Sequence, residues 1–198
     1  MSFELTLDNI KRSYLTLGFI SVNFLVFLIV NLILGDDVLY LLAQNNNNIS
    51  QGRELWTLIT SFFVHANFLH LFNNILGLLI FGSTAEKFYS KWQYLMIYFL
   101  SGLMGSIFSF LLSRYEGYGL GASGVVFGLM GAVMVLVPKE DRRVYLYSIF
   151  YIIYSIIYSF APGIGTWAHI FGLITGIGIG IIIKKKKPRK VKQSRDFY

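Results

Sequence analysis

The sequence predicts an all-α integral membrane protein, built as a single bundle of six transmembrane helices. Hydrophobic residues make up 55% of the chain, charged residues only 14%, and the mean hydropathy is +0.60. An average soluble domain has about a quarter of its residues charged, so this chain lacks the polar surface that a soluble protein needs. Its 198 residues contain no Pro- or Ser-rich linker, which favours one domain.

Six apolar segments have lengths suited to a bilayer, which takes roughly 17 to 25 residues to cross. Within a few residues at each end they run from Leu15 to Leu34, Ala66 to Ala85, Tyr94 to Ser113, Ala122 to Val137, Val144 to Phe160 and Trp167 to Ile183. Backbone polar groups in hydrocarbon must be paired within their own segment, so each is predicted to be a helix. Short connectors at 86–92 and 138–143 predict a compact bundle. The membrane domain is thus expected at 15–183, between a short tail at 1–14 and a basic tail at 184–198.

The basic residues predict the orientation of the bundle. Six spans put both termini on one side of the membrane, and only Arg53 and Arg114 lie on the other, leaving 15 of the 17 Lys and Arg residues with the termini. Basic loops remain cytoplasmic, so both termini are predicted to be cytoplasmic in a cell membrane. The short N-terminal tail favours a bacterial inner membrane. In isolation the cluster Lys184–Lys190 would suggest nucleic-acid binding, but directly after a span it is typical of an anchor on anionic lipids, and no nucleic-acid partner is expected.

Five polar side chains fall at one depth. Spans two, four and six all enter from the outer face, and their first turns hold His65, His70, Asn74, Ser123 and His169. Polar groups in hydrocarbon are expensive and usually face a protein interior or a wet cavity. Their shared depth predicts a functional site near the outer surface.

Small residues predict that spans four and six approach closely. They recur at helical spacing as Gly124, Gly128 and Gly131 in span four, and as Gly172, Gly176 and Gly180 in span six. Such stripes let membrane helices approach backbone to backbone, which would place Ser123 against His169. The glycines alone favour simple packing, with Ser123 an ordinary interface residue. The histidine at the matching depth favours a site.

The residue types in this layer indicate acyl-transfer chemistry. A serine hydroxyl becomes nucleophilic when a neutral imidazole takes its proton, so we interpret Ser123 as nucleophile and His169 as base, a dyad because no carboxylate lies in the outer halves of the spans. His70 and Asn74, one helical turn apart, are interpreted with the Ser123 amide as donors to the oxyanion. For His65, a hydrogen bond that supports the loop is at least as favoured as a catalytic role. Cysteines are absent, and no metal or cofactor is predicted.

These motifs resemble those of the rhomboid family of intramembrane serine proteases. Gly121-Ala122-Ser123-Gly124 is similar to the family's G-x-S-G, Ala168-His169 with Gly172 and Gly176 to its A-H-x-x-G-x-x-x-G, and His65, His70 and Asn74 to its H-x-x-x-x-H-x-x-x-N. The resemblance covers about Leu15 to Ile183. It implies a six-helix rhomboid-like bundle that cuts single-pass transmembrane proteins near the outer membrane surface through an acyl-enzyme. It also implies a first loop at 35–64 partly embedded in the outer leaflet, a mobile lid at 161–165 and a substrate gate at span five.

Two departures from the family pattern concern single positions. Phe127 stands where some members have a tyrosine packed on the catalytic histidine, so stacking should survive without the phenolic hydrogen bond. Thr57 follows Trp56 where many members have arginine, so the ion pairing within the first loop is expected to differ.

A tyrosine stripe in span five favours aromatic packing over a role in lining the gate; it comprises Tyr147, Tyr151, Tyr154 and Tyr158.

Two other functions remain as alternatives. A catalytically silent rhomboid-like protein would bind membrane helices without cutting them, but such relatives typically lack the serine or the histidine, and this chain has both. A transporter is less favoured, because no span contains the buried Asp, Glu, Lys or Arg that would indicate ion coupling.

Overall fold

The computed structural model describes residues 7–113, 117–136, 146, 149–150, 152–153, 156–157 and 165–186. This part of the chain is mostly helical, as predicted. Four of its helices are long and apolar enough to cross a membrane: Tyr14–Leu34, Phe68–Phe88, Lys91–Leu112 and Thr166–Lys185. A further apolar helix, Ser123–Leu136, has 14 residues.

Some sequence predictions fall mainly outside the described residues. They concern the fifth span at 144–160 with its four tyrosines, the lid at 161–165, of which only Gly165 is described, and most of the basic tail. The count of six helices and the domain limits therefore stay predictions. The residues described between 146 and 157 are helical, and Ile152 and Ile156 pack against a buried cluster that contains Phe127 and Leu173.

The helices are numbered here in chain order. They are α1 (Leu7–Lys11), α2 (Tyr14–Ile29), α3 (Asp36–Leu42), α4 (Asn46–Ser50), α5 (Thr57–Thr60), α6 (Phe68–Gly77), α7 (Ser83–Phe88), α8 (Lys91–Leu112), α9 (Ser123–Leu136) and α10 (Thr166–Lys186). A π-helical turn, Val30–Leu34, extends α2, and a second, Leu78–Gly82, joins α6 to α7. A 3₁₀ turn, Ser61–Phe63, follows α5, and two short strands are β1 (Gln44–Asn45) and β2 (Tyr118–Gly119).

For spans one to four and span six, the predicted ends agree with the observed ones to within about three residues. One connector is shorter than the predicted 86–92, because α7 continues to Phe88 and α8 begins at Lys91. A capping box at Ser90 explains the early start. The Ser90 hydroxyl accepts the N–H of Gln93 at 3.4 Å, and the Gln93 side chain accepts the N–H of Ser90 at 2.9 Å.

A carboxylate caps α2 at one end of the bundle. Glu86 of α7 accepts the N–H groups of Leu15 and Thr16 and the hydroxyl of Thr16, each at 2.9 Å. The Thr16 hydroxyl also lies 3.0 Å from that of Tyr94 on α8. An anion at a helix N-terminus satisfies unpaired N–H groups and the helix dipole, so Glu86 ties three helices together. The sequence pattern placed Glu86 in a connector and missed this role.

The segment between α2 and α6 is ordered and connects to the chain that leads into α9. β1 pairs antiparallel with β2, with Gln44 opposite Gly119 and Asn45 opposite Tyr118. The Gln44 side chain also donates to the Ser106 carbonyl of α8 at 3.0 Å. These contacts, which the sequence pattern did not predict, hold the segment against the turn that precedes Ser123.

Helices α9 and α10 pack backbone to backbone along the predicted glycine stripes. A Cβ atom at Gly172 would overlap the carbonyl of Gly124, and one at Gly176 would overlap the carbonyl of Gly128. Neither carbonyl can rotate away, because each belongs to a helix backbone. The approach of the two helices therefore depends on glycine at both positions.

Candidate active site

Ser123 and His169 are in contact at the end of the bundle opposite Glu86. Ser123 is the first residue of α9, and His169 lies in the first turn of α10. The Ser123 Oγ is 2.7 Å from the His169 Nε2, a hydrogen-bond distance. In the tautomer with Nε2 unprotonated, the hydroxyl donates to the imidazole, as a nucleophile does to its base. His169 is only 7% exposed.

The first turn of α10 is seated against two glycines. A Cβ atom at Gly105 of α8 would lie 2.8 Å from the Ala168 carbonyl, and one at Gly124 would lie 3.4 Å from it. The backbone next to His169 thus approaches two neighbouring helices without intervening side chains. The sequence interpretation included Gly124 and missed Gly105. The signal was present, since small residues recur in span three as Ser101, Gly102, Gly105 and Ser106.

Phe127 orients the imidazole. It follows Ser123 by one turn of α9, and its ring stacks on that of His169 with centroids 4.3 Å apart and planes 6° apart. A parallel stack of two buried rings restricts rotation of the imidazole, so Nε2 keeps facing Ser123. The phenylalanine provides this contact without a hydroxyl.

The turn before Ser123 lies against His70 and Asn74. Gly121 has a φ of +106°, a backbone conformation that residues with a Cβ atom rarely adopt. A Cβ atom there would also lie 2.6 Å from the His70 Nε2 and 3.6 Å from the Asn74 Nδ2. Glycine is therefore required at this position for two reasons: the backbone conformation, and the lack of room for a Cβ atom. The N-cap of α6, Asn67, accepts the N–H of His70 at 2.9 Å and fixes the start of that helix.

Three donors lie near this turn. Asn74 is 5% exposed, and its Nδ2 donates to the His70 carbonyl at 2.8 Å. That nitrogen carries two hydrogens, so one remains for another acceptor. His70 presents its Nε2 beside Gly121, and the N–H of Ser123 begins a helix, where it has no acceptor within its own helix. Their assignment as oxyanion donors stays a prediction.

His65 contacts the backbone of the same turn. It is fully buried, and its Nε2 accepts the N–H of Ala122 at 3.4 Å. The N–H of Gly121 donates to the Ser61 carbonyl at 2.8 Å. Burial, and secondarily the nearby His70, lower the pKa of His65 to about 3, so its imidazole is neutral and accepts a hydrogen bond. These contacts favour the supporting role for His65 over a catalytic one.

His65, His70 and His169 all lie at this end of the bundle. Within the described ranges, no group of three or more His, Cys, Asp or Glu side chains is arranged to hold a metal ion. The rings of His65 and His70 lie 5.2 Å apart in an edge-to-face contact, which is a packing geometry.

Comparisons with known proteins agree on one family. Residues 52–186 match the model of the Rhomboid domain. RHOMBOID-like protein 6, mitochondrial, of Arabidopsis thaliana is 34% identical over 147 residues, 71% of this chain and 48% of that protein. Rhomboid protease GluP of Bacillus subtilis (strain 168) is 37% identical over 140 residues, 68% of this chain and 27% of that protein.

Inactive RHOMBOID-like protein 8 of Arabidopsis thaliana is a further relative, 29% identical over 133 residues, 64% of this chain and 38% of that protein. The chain thus spans about half or less of the length of these three relatives. A family model that covers most of the chain, and identities of 34% and 37% to curated relatives, lead to one conclusion. This chain belongs to the rhomboid family.

Proposed function

We propose that this protein is an intramembrane serine endopeptidase that hydrolyses peptide bonds in transmembrane segments near the outer membrane surface. The observation that carries the proposal is the 2.7 Å contact between the Ser123 Oγ and the His169 Nε2. His169 takes the hydroxyl proton as Ser123 attacks the scissile carbonyl carbon. The imidazolium then protonates the leaving amine, and an ester to Ser123 remains.

Hydrolysis of the ester completes the cycle. His169 removes a proton from water, which attacks the ester carbonyl, and then returns the proton to Ser123 as the carboxylic acid leaves. In both halves the carbonyl oxygen gains negative charge, which hydrogen bonds from His70, Asn74 and the Ser123 N–H stabilise; these donors are positioned before the substrate binds. Phe127 supports the geometry by stacking on His169.

The proposed substrates are single-pass transmembrane proteins. A helix holds its carbonyls in internal hydrogen bonds, so a substrate must unwind locally before Ser123 reaches one. Helix-breaking residues near the cut lower that cost, glycine by about 1 and proline by about 3 kcal/mol relative to alanine. The resemblance to the family implies a small residue on the amino side of the cut, and the crowded turn at Gly121, which lies against His70, is consistent with this preference.

We also propose a cytoplasmic location for both termini, in a bacterial inner membrane. The basic tail at 184–198 would then contact anionic lipids, and no nucleic-acid partner is expected. A reporter fused after Lys192 should give a cytoplasmic signal. A signal from the opposite side would invert the orientation and place the dyad at the cytoplasmic surface.

The alternative is a protein that binds membrane helices without cutting them. Its support is the similarity to a relative named inactive. Labelling with a fluorophosphonate separates the two functions, because the reagent reacts with an activated serine and needs no known substrate. We expect the purified protein to be labelled at Ser123 and the Ser123→Ala variant to remain unlabelled.

Two further variants complete this experiment. His169→Ala should lower the labelling rate by orders of magnitude, since removing one member of a catalytic unit costs nearly as much as removing all of them. Ser50→Ala, which removes an exposed hydroxyl of the first loop, should label as the parent does. Residual proteolysis by a folded Ser123→Ala variant would exclude the mechanism.

The oxyanion donors need their own test. Loss of one donor in a soluble protease costs roughly 100- to 1000-fold in turnover, and a site with several donors loses less. Asn74→Ala should therefore slow turnover of a model substrate while Ser123 still labels slowly. Unchanged turnover in the double variant His70→Ala, Asn74→Ala would show that the pair is structural.

A further inference from the structure

An apolar groove separates α2 from the segment that follows it. Its cavity volume is about 260 Å³, and it is lined by Val22, Val26, Leu42, Thr60, Phe63 and Val64. None of the dyad or candidate oxyanion residues lines it. The groove is therefore a feature distinct from the proposed active site.

The chemistry of the lining excludes an aqueous occupant. Five of its six side chains are hydrocarbon, and the hydroxyl of Thr60 already donates to the Leu42 carbonyl at 2.8 Å. An ordered water needs two to four polar partners, which this lining does not offer. A hydrocarbon occupant gains contacts with every wall.

The groove opens toward the lipid-facing side of α2. Val22 on its rim is 43% exposed, and the adjoining Leu25 and Ile29 are 55% and 46% exposed. The α2 end at Leu34 is the one near the dyad, because Asn31 donates to the His65 carbonyl at 3.1 Å. With a rise of 1.5 Å per residue, Val26 and Val22 lie roughly 12 and 18 Å below Leu34. That depth is within the hydrocarbon core, about 30 Å thick.

The size of the groove selects its occupant. A transmembrane helix of a substrate or of a second copy is about 10 to 12 Å wide, so a volume of about 260 Å³ would hold only about two of its residues. The volume is also below the roughly 300 to 1,000 Å³ typical of sites for whole small molecules. The middle part of a single flexible hydrocarbon chain, lying along α2, meets both limits.

We propose that this groove binds one phospholipid acyl chain from the leaflet that contains the dyad. The bound chain contacts Phe63 and Val64, which directly precede His65. The same segment contributes the Ser61 carbonyl and the His65 imidazole that hold the N–H groups of Gly121 and Ala122. The bound lipid chain thus stabilises the segment that accepts hydrogen bonds from the turn before Ser123.

A photoreactive lipid tests the proposal. The full chain is placed in phosphatidylcholine nanodiscs that contain a phosphatidylcholine with a diazirine midway along one acyl chain. After irradiation, mass spectrometry locates the crosslinks. We expect several-fold more crosslinking at Phe63 and Val64 than at Leu32, which is freely exposed at 71%.

Matched variants show whether the groove itself causes the excess of crosslinks at Phe63 and Val64. Val26→Trp fills the groove and should reduce crosslinks at 60–64 several-fold, whereas Leu25→Trp adds the same bulk on the exposed face and should leave them unchanged. If Val26→Trp does not fold, Val22→Trp at the half-exposed rim serves the same purpose. Equal crosslinking at Phe63, Val64 and Leu32 would overturn the proposal. So would a reduction of the crosslinks at 60–64 by Leu25→Trp alone, or crosslinks from 60–64 to a second protein chain. The crosslink needs no reactive serine, so its outcome is independent of the proposed function.

Discussion

Replacing Gly176 by alanine tests the close approach of α9 and α10. A Cβ atom at Gly176 would overlap the carbonyl of Gly128, and a backbone carbonyl in a helix has no alternative rotamer. The helices must therefore separate. Gly178 provides a matched control on the same helix, because a Cβ atom there would meet nothing within 4 Å.

The expected loss of stability follows from this geometry. Overpacking a tightly packed interior typically costs about 1 to 3 kcal/mol. For a chain of this length, each kcal/mol corresponds to roughly 2 to 4 °C in Tm. Gly176→Ala should therefore lower the Tm by roughly 2 to 12 °C, with the upper part favoured because the obstacle is backbone. Gly178→Ala should leave the Tm unchanged or raise it, since alanine restricts the unfolded chain more than glycine does.

Reactivity should fall along with stability. Separation of the helices lengthens the 2.7 Å contact between the Ser123 Oγ and the His169 Nε2, and a misplacement of about 1 Å can cost on the order of 100-fold in rate. The assay is circular dichroism during heating in detergent, combined with fluorophosphonate labelling well below the transition. If Gly176→Ala matched Gly178→Ala in both measurements, the packing argument would be wrong.

Other predictions concern single side chains. His65→Gln, which keeps an acceptor for the Ala122 N–H, should label faster with fluorophosphonate than His65→Phe, which has none. Burial lowers the pKa of His65 to about 3 from 6.5, so the folded state binds this proton less readily than the unfolded chain, and stability contributed by the neutral imidazole should decrease as pH falls from 6.5 toward 3. Thermal melts over that range should show a smaller decrease for His65→Gln. Glu86→Ala should destabilise by about 1 to 3 kcal/mol in thermal unfolding, because the N–H groups at the start of α2 lose their acceptor. Phe127→Leu should slow labelling more than it lowers the Tm, whereas Phe127→Tyr should retain the rate, since the tyrosine ring can still stack on the imidazole.

Hydropathy predicted the ends of the long helices that the structure describes, because backbone hydrogen bonding in hydrocarbon must be satisfied within each segment. Each span must pair its own backbone, so its ends can be found without knowing its neighbours. The capping box at Ser90 extends α8 beyond the apolar pattern, which is why that connector was predicted too long. The count of spans was less accessible, since it depends on 144–160, of which the structure describes only part.

The proximity of Ser123 and His169 could also be expected from sequence, because glycine periodicity identifies the helix faces that approach. Contacts between segments that are distant in sequence could not be predicted in this way. The carboxylate of Glu86 finds its partners some 70 residues away, and no pattern in either segment indicates the pairing. Similarly, the bond from Asn74 to the carbonyl of His70 is one of several options open to a side-chain amide in a helix, and only the packed structure selects it.

The separation of Ser123 and His169 along the chain determines when the proposed dyad can form during synthesis. Ser123 and His169 are 46 residues apart, on the last two long helices that the structure describes. At roughly 5 to 20 residues per second, the ribosome produces the proposed nucleophile about 2 to 10 s before the proposed base. A partly inserted chain therefore contains an unactivated serine. The proposed proteolysis can begin only when α10 enters the membrane and packs against α9, so on this proposal an unfinished chain leaves neighbouring membrane proteins intact.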